Sequence, residues 1–113
     1  MKCVSFELSL ALRAQTNGTL VATCEQIPLL VAGHDAESLA DKLVSVLSGV
    51  VSRLDALGDP SETQAYLASR GVDSTVGETS NGVVGFDEDH LRTEIKTWAA
   101  KQVPSTLQCP IAA

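Results

Sequence analysis

The sequence predicts an α+β protein: an antiparallel three- to four-stranded sheet in β-β-β-α order, one long helix packed on one face of it, and a further helix toward the C-terminus. Three observations predict it. Residues 2–13 alternate apolar and polar side chains, Asn17-Gly18 supplies a turn between two apolar segments, and residues 36–57 carry apolar side chains at three- and four-residue spacing behind a capping aspartate. A period of two sends successive side chains to opposite faces of a strand, whereas recurrence near 3.6 residues gathers them on one side of a helix.

From Lys2 to Arg13, the side chains Val4, Phe6, Leu8, Leu10 and Leu12 share one face, and Cys3, Ser5, Glu7, Ser9, Ala11 and Arg13 the other. This is the pattern of a strand with a core on one side and water on the other. Asn17-Gly18 accommodates the positive backbone angles of a tight hairpin, so Leu20 to Cys24 returns as the second strand. Ile27-Pro28 interrupts it, because proline has no N–H to give a ladder, and Leu29 to Ala32 forms a third short strand leading through Gly33. Asp35 is placed to cap the long helix, with Glu37 favourable in its first turn. Leu39, Leu43, Val46, Leu47, Val50, Leu54 and Leu57 line one side of that helix, and Gly49 in its middle reads as a point of close approach to the sheet.

Gly58-Asp59-Pro60 ends one helix and starts another over residues 60–70, with Asp59 as cap, Pro60 at the first helical position and Tyr66 or Leu67 turned to the core. Val72 to Val76 gives a fourth strand, and Val83 to Phe86 a hairpin arm beyond the polar loop Gly77 to Gly82. Asp87 caps a last helix reaching about Gln102, with Leu91, Ile95, Trp98 and Ala99 on one face, and Pro104 ends it. The expected organisation is a single domain over residues 1–103 with a helical C-terminal extension, followed by a loose tail over 104–113.

A chain of 113 residues can bury a core without disulfides, and an apolar fraction of 44% with 19% charged residues belongs to folded chains rather than disordered ones. Its 14 acidic side chains outnumber 8 Lys and Arg, for a net charge of −6. Nucleic-acid affinity comes largely from neutralising phosphates, so direct nucleic-acid binding is not expected, and an acidic surface suits a basic protein partner. Cys3, Cys24 and Cys109 are odd in number and form no C-x-x-C pair, which argues for free thiols in a reducing, cytoplasmic setting. Ser5, Glu7 and Ser9 interrupt what would otherwise resemble the apolar stretch of a signal peptide, and no apolar run is long enough to span a membrane.

His34 with Asp35, and Asp87 and Asp89 with His90, are polar clusters in which helix capping accounts for the aspartates, so no metal is expected. Cys24 at a strand end reads as a small core residue, since a nucleophilic thiol needs a base beside it. The glycines are scattered and precede no Lys-Ser or Lys-Thr pair, so no phosphate loop, cofactor site or catalytic group is expected. The candidates for partner binding are Glu7 and Ser9 on the water-facing side of the first strand, Glu25 in the bend after the second, and Trp98, whose ring is either a core anchor or an interface anchor.

The segments Asn17-Gly18-Thr19-Leu20-Val21-Ala22-Thr23-Cys24, Glu25-Gln26-Ile27-Pro28 and Gly33-His34-Asp35-Ala36-Glu37 resemble the second strand, bend and helix start of the HicB-like antitoxin family over about residues 2–57. Glu25 stands where a proline is common in that family, and Asp35 caps in place of threonine. The resemblance implies a truncated ribonuclease-H-like fold without the nuclease's metal-binding carboxylates. It also implies inhibition of a small, basic RNA-cleaving toxin by covering its active face. Many members add a DNA-binding module, but Gly82-Val83-Val84-Gly85-Phe86 offers none of the Arg, Lys or Gln side chains that a ribbon reading DNA presents.

The expected function is therefore that of a protein-binding inhibitor, without enzymatic activity and acting as a homodimer, because open sheet edges invite pairing. The alternative is a small-ligand or enzymatic cleft beside the loop at residues 77–82.

Overall fold

The computed structural model describes residues 2–78 and 85–113. The alternation at the start of the chain becomes one strand, β1 (Lys2–Ala14), around which the other strands assemble. Val4, Phe6, Leu8, Leu10 and Leu12 are buried while Ser5, Glu7, Ala11 and Arg13 are exposed, so the period of two reads out as inside and outside. The strand β2 (Leu20–Cys24) returns antiparallel on β1, and β3 (Leu29–Gly33) on β2. Their turn is longer than the expected two-residue hairpin. Gln15 O accepts from Gly18 N at 3.0 Å, Gln15 N donates to Thr19 O at 2.8 Å, and Gly18 alone in this loop has a positive φ, of 88°. Asn17 contributes through its side chain instead, accepting from Thr19 N at 3.0 Å.

Helix α1 (Ala36–Asp55) starts on Asp35, whose carboxylate accepts from Ser38 N at 2.7 Å. Leu39, Leu43, Leu47 and Leu54 are buried as the spacing predicts, but Val51 takes the place expected of Val50, while Val46 and Leu57 are exposed. The buried residues follow the four-residue row from Leu39 through Val51, and Val46 and Val50 flank that row. Gly49 is not a close approach: a Cβ there would meet nothing within 4 Å.

Helix α2 (Pro60–Ser69) is capped by Asp59, which accepts from Ser61 N at 2.9 Å, and it turns Leu67 rather than Tyr66 into the core. After it, Gly71 takes φ 72° and Val72 N donates back to Leu67 O at 2.9 Å. This left-handed helix stop uses Val72 as its buried apolar contact, so β4 (Ser74–Glu78) begins two residues later than the apolar pattern suggests. Of the expected hairpin arm over Val83 to Phe86, Val83 and Val84 lie outside the described residues, as does most of the 77–82 loop, while Gly85 makes an isolated bridge to Ala112 and Phe86 belongs to no strand. Helix α3 (Glu88–Lys101) starts on Asp87, which accepts from His90 N at 3.0 Å, and buries Leu91, Ile95 and Trp98.

The expected loose tail is instead a strand, β5 (Ser105–Ala112), antiparallel to β1 from Ser105 opposite Leu12 to Ala112 opposite Ser5. It is held because Leu107, Cys109 and Ile111 alternate into the same core as Phe6, Leu8 and Leu10. Pro110 does not break it. Val4 and Ala113 exchange both backbone hydrogen bonds, at 2.7 and 2.9 Å, so alternation turns the backbone groups of Ile111, Cys109 and Leu107 toward β1 and those of Ala112, Pro110, Gln108 and Thr106 away. Proline is tolerated on such an outer edge because no ladder bond is asked of its nitrogen. Gly85 confirms the alternation by bridging Ala112 from outside, at 2.6 and 2.8 Å.

The described strands form a five-stranded sheet, ordered β3-β2-β1-β4 with β5 also on β1. Ser5 and Phe6 pair with both β4 and β5, and Ala11 and Leu12 with both β2 and β5. A residue has one partner per edge, so β2 and β4 lie end to end along one edge of β1 and β5 runs along the other. In the gap between β2 and β4, Ser9 N finds a side chain instead of a strand, donating to Gln26 Oε1 at 2.8 Å. The helices cover one face through a single core cluster, and Arg92 of α3 ties to Asp41 of α1 at 2.6 Å and to Glu88 at 3.0 Å. Among the described residues, no helix is long and apolar enough to cross a membrane.

Candidate functional site

The helices pack on one face, and among the described residues no helix covers the other, although Cys3, expected to face water, and Val21 are buried on it. Down β1 it presents Ser5, Glu7, Ser9, Ala11 and Arg13, and the strand registers set neighbours beside each of them. Glu7 lies opposite Pro110, Ser9 opposite Gln108, and Ala11 between Thr23 and Thr106. Apart from Glu7 and Arg13, the β1 side chains on this face are short and uncharged. Ser9 Oγ lies 3.0 Å from Gln108 Oε1, a cross-strand bond that holds both side chains down on the sheet.

Three of the four sequence candidates belong to this face. Glu7 is exposed at its middle, Ser9 is half-buried beside it, and Glu25 extends the β2 row that carries Val21 and Thr23. Glu25 borders a shallow hollow of about 430 Å³ together with Arg13, Val21, Thr23 and Thr106. Trp98 does not belong to it. It is buried on the helix side, and its indole N–H donates to Val103 O at 2.7 Å, so both its apolar surface and its polar tip are already satisfied. Trp98 is therefore removed from the partner surface.

Four contributors escaped the sequence pattern. Leu30, paired with Thr23, stands 71% exposed on the open face, an apolar side chain in a polar setting. Its neighbours Leu29 and Val31 pack inward, and the same period of two that exposes Glu7 could have singled it out. Thr106, Gln108 and Pro110 reach the face only because the last segment is a strand. Their signal was the Leu107, Cys109, Ile111 alternation, interrupted to the eye by Pro110 and preceded by Pro104.

The reactive candidates resolve into structural roles. Asp35 and Asp87 spend a carboxylate oxygen each on a helix cap, and His34 lies 3.4 Å from Asp35 in an exposed position. Among the described residues, no group of three or more His, Cys, Asp or Glu converges as a metal site would require. Cys24 is buried with its sulfur 3.9 Å from Gln26 Oε1. Cys109 is buried too; loss of solvation, reinforced by the negative charge of Glu7, pushes its thiol up to about 11 and keeps it protonated and unreactive at neutral pH. A low, uncluttered face of this kind can bind another macromolecular surface. No family model, no curated protein and no solved structure matches this chain.

Proposed function

We propose that the protein is an antitoxin-like, protein-binding inhibitor whose open sheet face covers a basic partner, most simply a small RNA-cleaving toxin. The observation that carries this reading is the sheet face that no described helix covers, bearing Glu7, Ser9, Glu25 and the exposed Leu30 on a chain of net charge −6. Short side chains along β1 allow close approach, Leu30 supplies an apolar anchor, and the negative charge speeds encounter with a basic surface. The β-β-β-α order of the first half, which the HicB resemblance implies, supports the same reading. So do three buried free thiols, which suit a reducing cytoplasm. The reading includes no direct nucleic-acid contact.

Co-expression with the adjacent reading frame, followed by affinity capture, tests it. A small basic protein should co-purify. With that partner in hand, Glu7→Lys and Glu25→Lys should slow association, and Leu30→Ser should speed dissociation, each by about tenfold. If no small basic protein is encoded next to this chain and capture recovers none, the inhibitor reading fails.

A further inference from the structure

We propose that a second copy of this chain pairs with the outer edge of β5, antiparallel and centred on Leu107, joining two sheets into one. On two other edges a side chain already sits on an outward carbonyl. Lys42 Nζ donates to Ala32 O on the outer edge of β3 at 2.9 Å, and Gln64 Nε2 reaches Ser74 O on β4 at 3.4 Å. Lysine on an edge carbonyl is a recognised guard against strand addition. At the far end of β5, Gly85 occupies Ala112 and Pro110 has no N–H to offer. What remains is Thr106 and Gln108, both exposed, with outward backbone N–H and C=O groups that make no hydrogen bond among the described residues.

The prolines specify the occupant. Pro104 and Pro110 stand at equal sequence distance on either side of Leu107. Two identical strands crossing about Leu107 place Thr106 against Gln108 of the second copy, and the reverse, so each such pair exchanges N–H···O=C bonds in both directions. The same register sets Pro104 against Pro110, where neither strand has a donor, and the ladder ends there on both sides. Sliding the register puts Pro110 opposite a residue whose carbonyl it cannot serve. An unrelated strand would have no reason to share this symmetry. Because strand pairing within one sheet keeps like faces together, the dimer would present both open faces on the same side, whether or not those faces bind a toxin.

Sedimentation velocity over a concentration series, with 15 mM and 500 mM salt arms, tests the pairing. The chain should dimerise reversibly, and more tightly at high salt, where repulsion between two chains of net charge −6 is screened. Gln108→Pro removes an outward N–H and leaves every backbone bond to β1 in place, losing only the Ser9 side-chain contact across the face, and Thr106→Glu adds repulsion beside the two-fold axis. Each should raise the dimer dissociation constant at least about tenfold while circular dichroism stays unchanged. In the wild type, amide exchange at Thr106 and Gln108 should slow as concentration rises. A chain that is monomeric at millimolar concentration overturns the proposal. So does a dimer that Thr106→Glu leaves intact, or one that forms without protection of those two amides.

Discussion

Two glycines separate what a residue does from what its sequence context suggests. A Cβ on Gly33 would lie 2.5 Å from Leu39 N and 2.8 Å from Leu39 Cα, inside the backbone of the first turn of α1, so this glycine lets β3 run directly under the helix it feeds. Gly49 has open space around it and only lowers helix propensity. Gly49→Ala should therefore stabilise the protein by about 0.5–1 kcal/mol, and Gly33→Ala should destabilise it by more than about 2 kcal/mol, both read from urea unfolding midpoints. The sequence pattern assigned the close approach to the wrong glycine. Both look alike in one dimension, and which backbone passes over a Cα is decided by how elements pack, not by neighbours along the chain.

At the scale of an element, β1 is held by β5 on one edge and on the other by β2 and β4 with a gap between them, bridged at Ser9 by the Gln26 side chain. Gln26→Ala leaves that half-buried N–H without its acceptor and should cost about 1–3 kcal/mol, with amide exchange at Ser9 accelerating beyond the change in global stability. Elements whose signals are local were legible: the β1 alternation, the bounds of β2, and the caps Asp35, Asp59 and Asp87, each found accepting from its own first turn. The element that was not legible, β5, depends on a distant strand. Its proline looks like a terminator until the register shows which way the nitrogen faces. The same limit applied to the candidate face, where Glu7 and Ser9 followed from alternation but Gln108 and Thr106 did not.

For the molecule as a whole, the sheet is closed by residues far apart in sequence. Ser9 and Gln108, bonded across the open face, are separated by 99 positions. A chain ending at Val103 would lose Leu107, Cys109 and Ile111 from the core along with one complete edge of β1. At about 1.5–3 kcal/mol for each large apolar side chain, added to the lost ladder, this approaches the whole stability of a small domain. Such a chain should show no cooperative unfolding transition by circular dichroism and should bind a hydrophobic dye. The same arrangement sets a schedule during synthesis. β1 leaves the ribosome before the other strands, yet one edge of it has no strand to lie against until residues 105–112 have been made, so translation holds its apolar row short of cover and open to chaperones before the fold can shut.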